Sequence, residues 1–185
     1  MHKLASRSIF ISMAVLALLA LAAFLIKGQV SPAFADDEDG LGKKIAGTYL
    51  RVQKDGGQIL QISEDGNLSL ILSIEFSGGA AGLRFSDILG SWKKTGEREI
   101  TAKAVDLDRR EDGTFAGVGV ATYVINFDNK LQTASVAIEG AVFPPGVNPF
   151  LDPDADPIPD GEFTYHDLKL HRLPVDGDGD DDDWP

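Results

Sequence analysis

Residues 58–76, QILQISEDGNLSLILSIEF, consist of two runs of alternating apolar and polar residues joined by a tight turn. In the second run the apolar face carries five side chains: Leu68, Leu70, Leu72, Ile74 and Phe76. The opposite face is polar except at Ile71. A period of two is typical of a half-buried β-strand, and EDGN at 64–67 is a strong hairpin-turn sequence. The stretch therefore predicts two antiparallel strands.

The same alternation recurs along the rest of the chain. Eight strands are predicted, at residues 45–54, 58–63, 67–76, 90–94, 98–110, 114–127, 130–143 and 162–173. Nearly all are joined by short turns rich in Asp, Gly and Asn, which favours pairing between neighbours. An eight-stranded meander leaves two exposed edges unless it closes. We therefore expect an all-β fold, an eight-stranded antiparallel up-and-down barrel over 45–173, with an open sandwich as the alternative.

The first 35 residues have the pattern of an export signal. Lys3 and Arg7 precede an uncharged apolar run at 9–26, and an A-x-A cleavage site follows at 33–35. We predict a signal helix within 1–35 that is removed on export to the periplasm or the extracellular space. Because the apolar run is only just long enough to cross a bilayer, an uncleaved N-terminal membrane anchor is the alternative.

The remaining chain is strongly acidic. Without the signal it carries 14 basic and 29 acidic residues, a formal charge of −15. Such a surface repels phosphate backbones, which argues against nucleic-acid binding. The segment 36–44 is predicted to be a solvated leader, and the tail at 174–185 to be disordered by like-charge repulsion. The chain has no cysteine, so its stability must come from a buried core rather than from disulfides.

The first predicted strand begins with I-A-G-T-Y-L at 45–50, which resembles the G-x-W motif of the calycin superfamily, the lipocalins and related barrels. Tyr49 stands where the tryptophan usually does. The resemblance implies that Tyr49 packs under an arginine from the end of the last barrel strand, where Arg172 is found. The segments G-x-Y, D-G-x-L, G-S-W-K-x-T-G and E-D-G-T are together similar to small exported bacterial proteins of lipocalin-like type. The similarity covers about residues 45–173.

Two features of the predicted strands have both a structural and a functional interpretation. Trp92 follows Gly90 at the start of a strand, where an indole can anchor the core or stack on a ligand, and we favour the core anchor. Strand 114–127 is apolar on both faces. Either residues 77–89 or the leader cover its outer face, or the strand is a homo-oligomer interface, since exposed apolar patches mark contacts.

Few residues of the predicted barrel could carry chemistry. His166 and His171 are five apart on a strand, which places them on opposite faces and prevents them from sharing a metal ion. The aspartate-rich loop at 152–162 lacks the glycine and the bidentate glutamate of an EF-hand, so we expect a solvated loop. Asp106 and Glu139 are candidates for interior carboxylates, but we expect both at the rim or pointing outward. No catalytic motif is found in the sequence, and we predict no metal and no cofactor.

These observations favour an exported binding protein over an enzyme. The leading hypothesis is a barrel that holds a small apolar ligand among six side chains: Leu70, Leu72, Ile74, Phe76, Trp92 and Tyr123. Free space is favoured by small interior residues, namely Ala102, Ala104, Ala121 and Ala134. One alternative, by analogy with other eight-stranded barrels, is a cofactor-free isomerase or cyclase of the allene oxide cyclase or dirigent type. A buried cavity with a carboxylate and a polar partner would favour that enzyme. The other alternative is an oligomeric structural or interaction module.

Overall fold

Eight long antiparallel strands form a closed barrel in the computed structural model, which describes residues 40–54, 56–76 and 78–174. In chain order the helix and the strands are α1 (Leu41–Ile45), β1 (Gly47–Gln53), β2 (Gly56–Ile62), β3 (Asn67–Leu72), β4 (Arg84–Phe85), β5 (Ile88–Gly96), β6 (Glu99–Arg109), β7 (Phe115–Phe127), β8 (Thr133–Phe143) and β9 (Glu162–Arg172). Two short 3₁₀ helices, Ser73–Phe76 and Ala80–Gly82, follow β3. The predicted signal at 1–35 and the tail beyond Pro174 lie outside the described residues.

The barrel closes because its first and last strands pair. Each long strand is antiparallel to the next one in the chain, and β9 returns to β1 through the pairs Tyr49↔Arg172 and Leu50↔His171. The two-residue strand β4 pairs only with the end of β6 and is not one of the eight barrel strands. Each of the eight long strands thus has a neighbour on both sides, with the β1–β9 seam paired at these two positions. The prediction of an all-β fold with a closed eight-stranded antiparallel barrel is confirmed.

One end of the barrel is plugged by α1. Its residues Leu41 and Ile45 are buried, so the predicted solvated leader over 36–44 does not extend to Leu41. The last carbonyl groups of a helix have no partner within the helix. Here the Arg172 guanidinium donates to the carbonyls of Lys44 (2.9 Å) and Ala46 (2.6 Å), and the Tyr49 hydroxyl donates to that of Ile45 (2.9 Å). The two residues that the calycin resemblance pairs therefore tie the helix to the barrel.

The predicted strand 67–76 ends early, at Leu72. Residues Ser73–Phe76 form a 3₁₀ helix, and the buried Glu75 carboxylate accepts a hydrogen bond from the Leu72 N–H (2.7 Å). A glutamate three residues into a capping box bonds its helix in the same way. The Ser73 hydroxyl also accepts a hydrogen bond from the Gly57 N–H (2.9 Å). The alternation of apolar residues continues through Ile74, but these polar contacts bend the chain across the mouth of the barrel.

The outer face of β7 is only partly covered. Val118 borders a groove that is also lined by Ser86 and Asp87, from the expected covering segment 77–89, and by Val147 and Phe150 from the proline-rich loop after β8. The expectation of cover from 77–89 therefore holds in part, and the loop after β8 adds cover that the sequence pattern did not reveal. None of the helices within the described residues is long and apolar enough to cross a membrane.

Candidate functional site

A cavity of about 280 Å³ lies in the end of the barrel away from α1. On the inner face of β1, Tyr49 lies beside α1 and Arg51 lines the cavity. The apolar part of its wall comes from several strands and from the 3₁₀ helix Ser73–Phe76, and it includes Leu72, Ile74, Ile88, Ile138, Phe163 and Leu168. Polar groups interrupt this wall at Arg51, Gln58, Ser73, Asp106, Asp108 and Tyr165. The cavity is therefore a mainly apolar site with a few placed polar groups, as is usual for small-molecule sites.

The structure brings together three of the six residues predicted to contact a ligand. Leu72, Ile74 and Tyr123 line the cavity. Leu70 and Trp92 are buried in the core and do not line it. Phe76 ends the 3₁₀ helix that follows β3, and its side chain lies outside the described part of the chain.

Trp92 anchors the core beside a turn. Its side chain is 3% exposed, and its indole N–H donates to the Ser63 carbonyl (3.1 Å). The Trp92 backbone N–H donates to the Gly66 carbonyl (2.7 Å), at the other side of the EDGN turn. Buried tryptophans usually find such a partner for the indole N–H. The indole thus fills the closed half of the barrel and holds the β2–β3 hairpin, which agrees with the core interpretation.

The small interior residues do not create the cavity. Ala102, Ala104, Ala121 and Ala134 are all buried, and none of them lines it. Gly90 lies opposite Ala104, and a Cβ at position 90 would lie 2.6 Å from the Ala104 Cβ. These residues allow close packing through the middle of the barrel. The free space lies instead at the open end.

A pair of carboxylates faces the cavity from β6. Asp106 and Asp108 both line it, and Asp108 is only 3% exposed. Among the residues that the structure describes, Asp106 Oδ1 and Asp108 Oδ2 are buried with no hydrogen-bond partner. Asp106 therefore does not simply point outward, contrary to one part of the expectation, but it does lie at the open end of the barrel and also borders the groove beside Val118. The period of two that runs from Ile100 along β6 also covers Asp106 and Asp108, so the sequence contained the signal for this pair.

The environment of these two groups favours their protonated forms. Burial raises the pKa of Asp106 to about 6, against the opposing effects of hydrogen bonds from Asp108 and from the Gly119 backbone. Burial, followed by the charge of Asp106, raises the pKa of Asp108 to about 7. Burial and the Asp106 charge also raise the pKa of Tyr123. Near neutral pH the Asp108 carboxyl therefore holds a proton part of the time and donates it in a hydrogen bond to Asp106.

The other candidate polar residues lie away from the cavity. Glu139 is exposed on β8, and both His166 and His171 are exposed on β9. A one-residue bulge in β9, where Asp167 has a φ of 56°, shifts the alternation between the two histidines. Their spacing therefore does not place them on opposite faces, contrary to the sequence expectation. Within the described ranges no three His, Asp or Glu side chains come close enough together to hold a metal ion.

Comparisons of the chain with known protein families, with curated proteins and with solved structures found no match. The barrel, its cavity and the carboxylate pair are therefore the grounds for assigning a function.

Proposed function

We propose that this protein is an exported, lipocalin-like barrel that binds one small, mainly apolar molecule in its open end. The observation that carries the proposal is the cavity of about 280 Å³, walled largely by aliphatic and aromatic side chains. This volume is near the lower limit for small-molecule sites, and an eight-stranded barrel has room for one small ligand. The contacts of Tyr49 and Arg172 at the closed end support the lipocalin-like part of the proposal.

A fluorescence assay tests the binding. N-phenyl-1-naphthylamine is an apolar probe whose emission increases when it leaves water, and we expect the full chain to bind it at one site. Leu168→Trp adds a large side chain to the cavity wall and should weaken binding roughly tenfold or more, since about 1.4 kcal/mol corresponds to a factor of ten. Ile71→Trp is the matched control, because Ile71 is 44% exposed and does not line the cavity.

Native mass spectrometry of protein purified from its own host provides a second test. A retained small molecule that is lost from Leu168→Trp and kept by Ile71→Trp would support the proposal. Absence of any bound molecule, together with equal probe affinity in both variants, would contradict it.

A cofactor-free isomerase or cyclase is a second candidate, favoured by one observation. Asp106 and Asp108 share a buried site with Tyr123, and a carboxyl group with a pKa near the working pH is suited to general acid–base catalysis. The test is to incubate the wild type and Asp108→Asn with an extract of small molecules from the host. An enzyme would convert one compound into an isomer of equal mass, and Asp108→Asn would not. A binding protein would retain the compound unchanged.

A further inference from the structure

We propose that the bound molecule carries a protonated amine, which the Asp106–Asp108 pair binds at the inner wall of the cavity. This inference rests on the proposed function, because it names the polar group of the molecule that occupies the same cavity. It commits to a primary or secondary ammonium group attached to an apolar body of modest size.

The unpartnered carboxylate oxygens point to a donor-rich ligand. When both groups are ionised, Asp108 Oδ2 and Asp106 Oδ1 are buried acceptors with no donor in the described part of the chain, and leaving such groups unpaired is costly. Asp108 is only 3% exposed, and it lines the cavity. A primary ammonium offers three N–H donors and no acceptor. It therefore matches two adjacent acceptors better than a hydroxyl, which donates only once.

The charges around the pair favour a cation. Glu75, buried beside the mouth, adds a third acidic group that acts on Asp106. The cation of the cavity wall, Arg51, lies on β1, which is four strands from β6 in either direction around the barrel. Arg51 is thus on the opposite wall, where its guanidinium bonds the Gln53 side chain. The site is negative on the β6 side, and the acidic surface of the chain adds to the attraction of a positive ligand.

Aromatic rings complete the match. Tyr123, Phe85, Phe163 and Tyr165 line the same cavity as the carboxylates. The face of an aromatic ring attracts an ammonium group as well as an apolar body. The same cavity can therefore hold both parts of the proposed ligand.

Binding of the amine should release a proton. Without a ligand the raised pKa of Asp108 keeps that carboxyl partly protonated near pH 7, and an ammonium beside it favours the ionised form. The proton passes to the solvent as the cation binds. The other ionisable groups that face the pair are Glu75, Tyr123, Tyr165 and Arg51, and the variants Asp106→Asn and Asp108→Asn separate their effects on binding from those of the two aspartates. Amine affinity should rise by roughly tenfold from pH 6 to pH 8.

Isothermal titration calorimetry of the full chain tests the inference with three probes of one shape: 2-phenylethylamine, 2-phenylethanol and 3-phenylpropionate. At pH 8 we expect the amine to bind roughly tenfold or more tightly than the alcohol, and the carboxylate to bind most weakly. Titrations in buffers of different ionisation enthalpy should reveal net proton release for the amine at pH 7. Asp108→Asn should abolish the preference for the amine, and Asp106→Asn serves as a second variant. The control Glu139→Gln removes one exposed acidic charge and should not change the affinity for any of the three probes.

The outcomes separate this inference from the proposed function. If the alcohol binds as tightly as the amine, or if amine affinity does not change from pH 6 to pH 8, the inference is overturned while apolar binding stands. Competition by calcium that depends on Asp108 would assign the pair to a divalent cation and would also overturn it. If neither these probes nor N-phenyl-1-naphthylamine binds, the proposed function itself fails.

Discussion

Asp106 lies directly opposite Gly119 across the β6–β7 pair, and its carboxylate occupies the space that a Cβ at position 119 would need. A glycine at this position is therefore what allows the carboxyl group to lie flat against the barrel wall.

We expect Gly119→Ala to destabilise the protein by about 1–3 kcal/mol, because an added methyl group in a packed site forces its neighbours to move. Thermal unfolding monitored by circular dichroism measures the loss. The double variant Gly119→Ala/Asp106→Ala removes the carboxylate that collides with the methyl group. Its loss should be smaller than the sum of the two single losses, and strict additivity would contradict the proposed collision.

The carboxylate pair should make the protein less stable as the pH rises. Both folded-state pKa values lie above the ordinary value for aspartate of about 4, so the folded state binds more protons than the unfolded chain between about pH 4 and pH 7. The favourable contribution of the pair is present in full below about pH 4 and is lost as the pH rises through about 7.

Asp108→Asn should therefore be more stable than the wild type at pH 8 and lose this advantage at pH 4. A difference of 1 kcal/mol shifts the melting temperature of a domain of this size by about 3 °C. Differential scanning calorimetry of both proteins from pH 4 to pH 8 provides the measurement, with Glu139→Gln as the exposed control. A wild type that gains stability relative to Asp108→Asn as the pH rises would show that the sign is wrong.

Trp92→Phe tests the anchor beside the EDGN turn. Phenylalanine keeps most of the buried apolar surface but leaves the Ser63 carbonyl without the indole N–H. We expect a loss of about 1–2 kcal/mol in the free energy of unfolding, the cost of a buried hydrogen bond with one partner removed. Urea denaturation measures it. Because Trp92 does not line the cavity, probe affinity in the folded variant should be unchanged, and a large loss of affinity would favour the ligand-stacking interpretation.

Arg172→Lys tests the link between α1 and the barrel. A lysine keeps the charge but lacks the planar fork with which Arg172 reaches two carbonyl groups, those of Lys44 and Ala46. We expect the free energy of unfolding to fall by about 1–3 kcal/mol, within the range for charge-assisted hydrogen bonds. Lys169→Met, an exposed position on the same strand, is the control and should cost little. Equal stability of the wild type and Arg172→Lys would indicate that the contacts to the helix contribute nothing.

The sequence by itself determined the strands and their closure. Alternating runs such as 67–72 and turns such as EDGN act over a few residues. When eight strands are joined by short connections, closure into a barrel is the simplest arrangement that leaves no exposed strand edge. Trp92 could be placed in the core on the same local grounds, because a large side chain beside a tight turn has little else to pack against.

Only the tertiary structure decided where the barrel is empty and what faces that space. An alternating pattern tells which face of a strand is inside, but not whether the inside is filled, because each interior position depends on side chains from strands far apart in the sequence. Ala102 and Ala104 are inside and tightly packed, whereas Asp106 and Asp108, next on the same face, border the cavity. The hydrogen bond from Gly57 to Ser73 at the early end of β3 and the register between β8 and β9 at the bulge near Asp167 join segments that are apart in the sequence, and no local pattern encodes them.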